Sequence, residues 1–259
     1  MTCGTQDISG DGKLSVDDQW GLLTESKAGW YMFLGSGRST IVEEGTSYVS
    51  NLEDNTNYTI FETVRNGLID KDTVCVINDG SYSKVLTTDS VWSEASKIFS
   101  ESRALMWTGT FNGVEDLRNM DVDFGVLPIP KYSEEQDGYY CMVNDDIYML
   151  AIPTTVKDQH KAALVTEALA YESMFVLTPK FYDVYLDEKL LRDEQSKQMV
   201  DLLLDSKVFD LDYNCAITGF SDKIQSMVGD HKNTLASKIA SVQKSAQTKI
   251  DKFIDAFGD

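Results

Sequence analysis

The strongest constraint on the fold is the way the spacing of apolar residues changes along the chain. Residues 57–70, "NYTIFETVRNGLID", place apolar side chains three or four positions apart, which predicts an amphipathic helix. Residues 90–102, "SVWSEASKIFSES", repeat this period behind Ser90, a predicted N-cap. The predicted inner face of this second helix consists of Trp92, Ala95, Ile98 and Phe99. The period then shortens, because "RALMWTG", "DFGVLPIP" and "YYCMVNDDIYMLAIP" are rich in strand formers.

The helical period returns in the second half. Residues 156–173 place Ala162, Val165, Ala168 and Leu169 on one face, and residues 193–209 form a further predicted helix with Asp193 as its cap. The final stretch, "TLASKIASVQKSAQTKIDKFIDAF", carries an apolar stripe without a sustained heptad, which favours a core-facing helix over a coiled coil. The expected class is therefore α/β or mixed α+β, with more helices than strands.

The charge balance limits the classes of ligand. The 259 residues contain 42 Asp and Glu against 23 Lys and Arg, a formal net charge of -19. Such a surface repels phosphate backbones and anionic lipid, so nucleic-acid binding is disfavoured. Neutral solutes, or cations held by carboxylates, are the expected ligands.

Cysteine and histidine usage argues against a zinc site. The four cysteines are far apart without a CxxC pair, and there are only two histidines. Small, mostly buried thiols are expected. No apolar run is long enough to span a membrane, and "MTCGTQD" lacks the apolar core of a signal peptide. This start fits either a cytosolic protein or one that has lost an N-terminal part.

Residues 7–18, "DISGDGKLSVDD", match the order of a calcium-binding loop. Such a loop takes oxygen ligands from positions 1, 3, 5, 7, 9 and 12, with glycine at position 6, here Gly12. The predicted calcium ligands are Asp7, Ser9, Asp11, the carbonyl of Lys13, Ser15 and Asp18. Ser9 replaces a commoner Asp or Asn and Asp18 is shorter than the bidentate Glu, so weaker binding than in a sensor is expected. The alternative is an Asp/Gly-rich turn without metal.

The number of loops decides the role of the ion. A calcium sensor, or the dockerin module of cellulosomes, would carry two such loops, and the sequence contains one. The predicted cofactor is therefore a structural Ca2+ that stiffens one corner of the fold.

The order of motifs from residue 103 to residue 173 resembles the extracellular solute-binding proteins of ABC importers, in the carbohydrate-binding, maltose-binding-protein-like group. The matching segments are "RALMW", the strand ending in "FGVLPIP", and "AIP" leading into a helix. "AITGFSDKIQSMVGD" and the last stripe look like the closing helices of that family. The resemblance covers most of the chain from about Asp7 onward.

The resemblance implies an α/β fold of the periplasmic-binding-protein type II kind, holding mostly the second lobe with the crossover and the C-terminal helices. Residues 1–19 would form the calcium-type loop at the junction with a missing N-terminal lobe, and 20–144 the second lobe. Residues 145–178 would be the crossover belonging to the first lobe, and 179–259 the return to the second. The implied protein is extracellular and attached to the cell surface, although this chain has no lipobox before Cys3. Its implied partners are a membrane permease and a small solute, with the protein itself a monomer.

The resemblance also nominates ligand-binding residues. A sugar cleft combines aromatic faces for stacking with short polar groups for hydrogen bonds. The nominated residues are Trp107, Thr108, Phe111, Asn144, Asp145 and Phe220. For the aromatic residues the alternative is packing in the core.

Enzymatic activity is not expected. Asp145 and Asp146 are adjacent on a predicted strand and would point to opposite faces, whereas a glycosidase needs two converging carboxylates. No G-x-S-x-G elbow or phosphate loop is present. The expected function is thus the substrate-binding component of an ABC importer for a sugar or oligosaccharide. The alternatives are a calcium-stabilised adhesion or docking module and, third, a glycoside hydrolase.

Overall fold

A computed structural model of the chain describes residues 4–79, 90–111, 113–144, 150–182, 193–230, 232 and 234–256. The described strands are β1 (Trp20–Thr24), β2 (Ile41–Glu44), β3 (Ser47–Ser50), β4 (Val74–Val76), β5 (Ala104–Trp107), β6 (Cys141–Met142) and β7 (Lys207–Val208). The described α-helices are α1 (Ala28–Gly35), α2 (Asn55–Leu68), α3 (Val91–Ser100), α4 (Gly113–Asp116), α5 (Gln159–Glu172), α6 (Glu194–Asp205), α7 (Leu211–Asn214), α8 (Phe220–Gly229) and α9 (Leu235–Asp255). A π-helical turn, Ser173–Leu177, follows α5. The mixture of helices and parallel strands confirms the α/β class.

The central sheet is parallel, in the order β4-β1-β5. Leu22 of β1 pairs with Val74 on one side and with Met106 on the other. The chain leaves β1, reaches β4 on one side, and then returns through α3 to place β5 on the other side. All three strands therefore end at the same edge, which we call the carboxyl edge.

The sheet is held because β1 is apolar and covered on both faces. Trp20 and Leu23 have no exposed surface, as expected of a central parallel strand. Helix α1 packs on the sheet through Ala28 and contributes Trp30 and Phe33 to an aromatic core. The Phe33 and Phe61 rings stack with their centroids 3.8 Å apart. This core fixes the start of α1, and with it the turn that follows β1.

The amphipathic C-terminal stripe faces the core, as predicted. Its buried members are Leu235, Ile239, Val242, Ala246 and Ile250. Gln247 also ties the helix to the β2–β3 hairpin, since its amide donates to the Tyr48 carbonyl at 3.0 Å and accepts from the Ser50 N–H at 3.0 Å. Helix α9 is therefore an integral part of the described domain.

The predicted helix starts are confirmed at both caps. Ser90 accepts from the Ser93 N–H at 3.1 Å, and Asp193 accepts from the Ser196 N–H at 2.8 Å. The prediction that Trp92 faces the core is wrong, because this side chain is 50% exposed. Ala95 and Ile98 of the same predicted face are buried. The first turn of α3 lies at the rim of the core.

Two of the predicted strand segments are mostly not strands. Residues 123–130 belong to no strand, and residues 139–153 contribute only β6 among their described residues. In the first segment the Val126 N–H donates to the Ser196 hydroxyl at 3.1 Å, so a side chain takes the place of a ladder partner. Pro128 and Pro130 have no N–H to donate to a neighbouring strand.

Helix α5 is present where predicted, with Asp158 as its N-cap, but none of its residues is buried. The large apolar side chains exposed along α5, the π-helical turn and the next residues are Leu164, Val165, Leu169, Tyr171, Met174, Phe175, Val176, Leu177 and Phe181. We call these nine residues the α5 surface. An open apolar groove of about 520 Å3 lies between α5 and the preceding residues Leu150 and Val156.

Candidate functional site

The carboxyl edge is the position where a sheet of this topology binds ligands. In open α/β sheets, ligands occupy the crevice outside the carboxyl ends of the strands, where consecutive connections go to opposite sides. Here that change of direction falls at β1, which has β4 on one side and β5 on the other. The residues that follow these strands are polar, and we call the space that they line the edge crevice.

Three hydroxyl groups meet at the ends of β1 and β5. The Oγ1 atoms of Thr24 and Thr108 are 2.5 Å apart. The Tyr31 hydroxyl, from α1, donates to Thr108 Oγ1 at 2.6 Å and lies 3.1 Å from Thr24 Oγ1. Burial raises the pKa of Tyr31, so the phenol stays neutral and keeps its proton. This triangle fixes the spacing of the two strand ends.

A second pair joins β1 to β4. The Ser26 N–H donates to Asn78 Oδ1 at 2.8 Å, and Asn78 Nδ2 donates back to the Ser26 hydroxyl at 3.0 Å. The turn after β1 is thus held on both sides, by Asn78 and by the hydroxyl triangle.

Glu25 lies on this turn with its carboxyl group unpaired. The residue is 8% exposed, and no hydrogen bond or ion pair to its side chain is formed by any residue in the described ranges. Burial raises its pKa to about 7, and the nearby Lys27 ammonium partly opposes this shift. Buried acidic side chains are normally paired. A buried acidic residue without a hydrogen-bond partner among the described residues makes Glu25 a candidate for contacting a ligand at the carboxyl edge.

Lys27 lies on the same turn and faces a different group of residues. Its Nζ donates to Asn144 Oδ1 at 3.2 Å and lies 5.2 Å from the centre of the Tyr213 ring. The Tyr213 hydroxyl also donates to Asn144 Oδ1, at 3.3 Å. Asp210 positions this tyrosine, since its carboxylate accepts from the Tyr213 N–H at 2.8 Å and caps α7. The edge crevice thus has one acidic group and one basic group on a single turn.

Of the sequence-predicted ligand residues, Thr108 and Asn144 lie among these groups. Trp107 ends β5 and is half-buried, with its ring centre 5.7 Å from that of Phe99. A β-carbon added at Gly109 or Gly113 would lie 2.8 Å or 2.7 Å from the Trp107 indole, closer than side chains tolerate. The two glycines therefore let the indole lie flat along the chain just beyond β5.

The other nominated residues are not brought to the edge crevice. Phe220 is 0% exposed and packs edge-on against Phe61, with ring centres 5.3 Å apart. Phe111 is half-buried in a separate small cluster around Val200. Both aromatics occupy core positions, the alternative that the sequence left open for them. Asp145 lies outside the described residues.

The residues that sequence reasoning missed are Glu25, Ser26, Lys27, Tyr31 and Asn78. A signal for them was present, because "TESK" directly follows the apolar run "WGLL" and "ND" follows "VCVI". Polar residues placed where buried parallel strands end predict groups at one edge. Recognising this requires knowing that both runs are parallel strands of one sheet.

The predicted calcium loop is ordered by its own carboxylates. Asp7 accepts from the Gly10 N–H at 2.6 Å, from the Gly12 N–H at 2.8 Å and from the Ser9 hydroxyl at 3.1 Å. Asp11 accepts from the Lys13 N–H at 2.8 Å. These contacts give the tight turns that the loop pattern implies.

Asp18 closes the loop from a buried position. It is 0% exposed, and its oxygens accept from the Ile8 and Ser9 N–H groups at 3.0 Å each. It also accepts from the Ser15 N–H at 2.8 Å and the Ser15 hydroxyl at 3.1 Å. Burial would raise the pKa of Asp18, but the hydrogen bonds from Ser9 and Ser15 outweigh it and hold the pKa below its usual value.

The loop fits calcium only in part. Oxygen-rich side chains are the right ligands for this hard cation, and the half-buried Asp7 and the exposed Asp11 lie on one short turn. The Asp18 oxygens, however, already serve four protein donors. Within the described residues, no three acidic, histidine or cysteine side chains are grouped so that they could hold a metal ion. Calcium binding by this loop stays a prediction.

The loop is attached to the amino ends of the strands that carry the crevice. Trp20 Nε1 donates to the Ser15 carbonyl at 2.9 Å. Arg103, just before β5, donates from Nη1 to the Val16 carbonyl at 2.5 Å. The loop and the edge crevice therefore lie at opposite ends of β1.

The described thiols form no disulfide. Cys75 is buried, Cys141 is half-buried and Cys215 is exposed. None of the described helices combines the length and the apolar content that crossing a bilayer would need.

No protein-family model matches the chain, and a search of curated proteins gives no match. A functional proposal therefore rests on the geometry of the edge crevice and on the sequence motifs in residues 103–173 that resemble solute-binding proteins.

Proposed function

We propose that this chain is the ligand-binding part of a solute-binding protein of an ABC importer, and that a sugar or oligosaccharide binds in the edge crevice. The observation that carries the proposal is the unpaired, buried Glu25 at the carboxyl ends of three parallel strands. The motif resemblance from residue 103 to residue 173 points to the same class.

The edge crevice offers what a polyhydroxylated solute requires. Glu25 can accept hydrogen bonds from ligand hydroxyls, and Lys27 can donate to a neighbouring ligand oxygen. Thr108 and Asn144 add short polar groups of both kinds, and the Trp107 ring supplies an aromatic surface at the end of β5. Opposite charges on one turn favour a neutral ligand, because an anion would meet Glu25 and a cation would meet Lys27.

The α5 surface supports a second lobe. A large exposed apolar patch marks a surface that another protein part covers, and the α5 surface is such a patch. Residues 145–178, which include α5, are the segment predicted to belong to the first lobe. In this proposal the solute would be enclosed when the two lobes close on it, and the closed form would be presented to a membrane permease. An extracellular, monomeric protein belongs to the same proposal.

Calcium has a structural role in the proposal. Asp7, Asp11, Ser9, Ser15 and the Lys13 carbonyl would hold the ion, with Asp18 as the sixth predicted ligand. The ion would neutralise the acidic loop and stiffen it, and it would take no part in contacting the solute.

A docking or adhesion module is the second candidate, and the α5 surface is the observation that favours it. A partner protein, instead of a lobe of the same protein, would cover its nine exposed apolar side chains. A docking module would have no need of an unpaired carboxyl group in a crevice, which is why solute binding is preferred.

The proposal is tested by thermal melts of the chain with a panel of mono- and oligosaccharides, in calcium and in EGTA. A ligand that binds only the folded state raises the midpoint by mass action. We expect a rise with a subset of sugars, and we expect E25Q to abolish it while the matched exposed variant E44Q preserves it. The proposal would be contradicted if no sugar of the panel raised the melting midpoint, either of this chain or of a longer chain with an added N-terminal lobe.

A further inference from the structure

The three contacts of the hydroxyl triangle formed by Thr24, Tyr31 and Thr108 differ in length. The hydroxyl oxygen of Thr108 lies 2.5 Å from that of Thr24 and 2.6 Å from that of Tyr31. The hydroxyl oxygens of Tyr31 and Thr24 are 3.1 Å apart, whereas an O–H···O hydrogen bond usually measures about 2.5–3.0 Å. The two contacts of Thr108 therefore hold one proton each, and the third contact is the one left without a proton.

The direction of each hydrogen bond follows from these contacts. Tyr31 keeps its proton because burial of the phenol raises its pKa, and it donates this proton to Thr108. Thr24 is 1% exposed, and its hydroxyl group contacts Tyr31 and Thr108 alone among the described residues. Since a buried hydroxyl group normally donates its proton, the Thr24 proton lies inside the triangle, on the shorter contact to Thr108. The phenol oxygen of Tyr31 is also the weaker acceptor, because its lone pair is delocalised into the ring.

We infer that Thr108 accepts hydrogen bonds from both Thr24 and Tyr31 and points its own proton into the edge crevice, where it recognises a solute hydroxyl oxygen. A hydroxyl oxygen has two lone pairs, and in this arrangement both are occupied. Thr108 is half-buried and directly follows β5, and no residue in the described ranges accepts its proton. Thr24 and Tyr31 are thus positioning residues, because they make Thr108 a donor and prevent it from accepting.

A donor that is fixed in this way determines specificity, and the part that concerns the solute rests on the proposed function. A solute that places an acceptor oxygen at Thr108 completes the hydrogen bond. A solute that places an N–H group there leaves two donors facing each other, which costs affinity.

The proton arrangement is tested without any solute, by double-mutant cycles on the folding equilibrium. The variants T24V, Y31F and T108V each remove one hydroxyl group, and chemical denaturation gives the folding constants of the single and double variants. We expect a coupling of about fivefold in the folding constant for Thr24 with Thr108 and for Tyr31 with Thr108, and less than about twofold for Thr24 with Tyr31. Equal coupling in all three pairs would overturn the inference, because it would indicate a closed ring in which each hydroxyl group donates to the next.

The recognition of the solute is tested with a saccharide that stabilises the wild-type chain in the melt panel, and with its monodeoxy and monofluoro analogues. A fluorine substituent accepts a hydrogen bond and donates none, whereas the deoxy position does neither. We expect one position at which the deoxy sugar binds about tenfold more weakly than the parent and the fluoro sugar stays within about threefold of it. T108V should abolish this difference, while T108S, which keeps the hydroxyl group, and the exposed control T110V should preserve it.

Two results would overturn the recognition of a solute oxygen by Thr108. In the first, the fluoro sugar loses as much affinity as the deoxy sugar at the position that T108V identifies, so that Thr108 accepts instead of donating. In the second, no position of a bound sugar depends on the Thr108 hydroxyl group. Absence of any sugar effect would count against the proposed function itself, and the double-mutant cycles would still decide the arrangement of the protons.

Discussion

The hydroxyl oxygens of Thr24 and Thr108 lie 2.5 Å apart, although the two residues are separated by 84 positions in the chain. The contact joins the last residue of β1 to the residue that follows β5, and the Tyr31 hydroxyl closes it into a triangle. The strand ends that line the edge crevice are thereby held in one arrangement by the chain itself. Preorganisation of this kind lowers the entropic cost of binding.

Thr108→Val should therefore loosen the crevice. The substitution keeps the shape of the side chain but removes the hydroxyl that Tyr31 and Thr24 contact, so we expect a loss of about 1–2 kcal/mol in the free energy of unfolding. Chemical denaturation measures this loss. Thr110→Val, at an exposed position two residues further on, is the matched control and should change the stability little. Equal losses in both variants would show that the triangle contributes nothing specific.

The Glu25 carboxyl group should make the stability depend on pH. Its pKa is 4.5 in a free side chain and about 7 in the folded protein, so between these values the folded state binds more protons than the unfolded state. The stabilisation is complete below about pH 4.5 and is lost as the pH rises to about 7. The loss is on the order of 3 kcal/mol, from 1.36 kcal/mol per pKa unit. Denaturation across this range should show a fall in the wild-type chain that E25Q lacks and E44Q retains.

Asp18→Asn should destabilise the loop in the presence and in the absence of calcium. The amide replaces one acceptor oxygen by a donor, so backbone N–H groups that Asp18 now satisfies lose their partner. We expect a loss of about 2–3 kcal/mol, measured in EGTA as well as in calcium. The neighbouring Asp17→Asn, at an exposed position, should be nearly neutral. A defect of D18N that calcium fully rescues would contradict this account.

Asp11→Ala isolates the predicted ion from the hydrogen-bond framework. Asp11 is exposed and accepts one local hydrogen bond, so its loss should cost little in EGTA. In calcium, the wild-type chain should gain melting temperature from ion binding, and D11A should lose that gain. Asp7→Ala should also lower the melting temperature in calcium. Unchanged midpoints in both variants in calcium would defeat the calcium prediction.

The α5 surface should tolerate substitutions that the core does not. Leu169→Ala removes a side chain that is 56% exposed, and we expect a change within about 0.5 kcal/mol in this chain. The same substitution at the buried Leu68 of α2 should cost about 2–5 kcal/mol. In a longer chain with an added N-terminal lobe, L169A should become costly if that lobe covers α5. A small effect in both chains would argue against coverage by a lobe.

Local sequence patterns predicted the helices well, because caps and apolar spacing act within a few residues. Asp193 and Ser90 cap the helices that they were predicted to cap. Strands were less predictable, since strand formation requires a partner. Residues 123–130 have the composition of a strand but hydrogen-bond to Ser196. Burial of a single side chain is equally non-local, as the exposed Trp92 shows.

The sequence predicted two polar residues of the candidate site but did not predict Glu25. Thr108 and Asn144 were nominated from the motif resemblance and lie at the edge crevice, whereas Glu25 is one of 42 acidic residues and has no distinguishing neighbour in sequence. Its low exposure at the turn after β1 depends on the three-dimensional fold. Such a property belongs to the fold and cannot be obtained from spacing.

The small residues at positions 109 and 113 also give the protein an optical reporter. They leave room for the half-buried Trp107 indole at the end of β5, while Trp20 and Trp30 are fully enclosed and Trp92 is 50% exposed. The four tryptophans thus sample three different surroundings, and one of them is the last residue of β5. Intrinsic fluorescence should therefore register events at the end of β5 without any added label, as a change in emission from a single indole against a constant background from the other three.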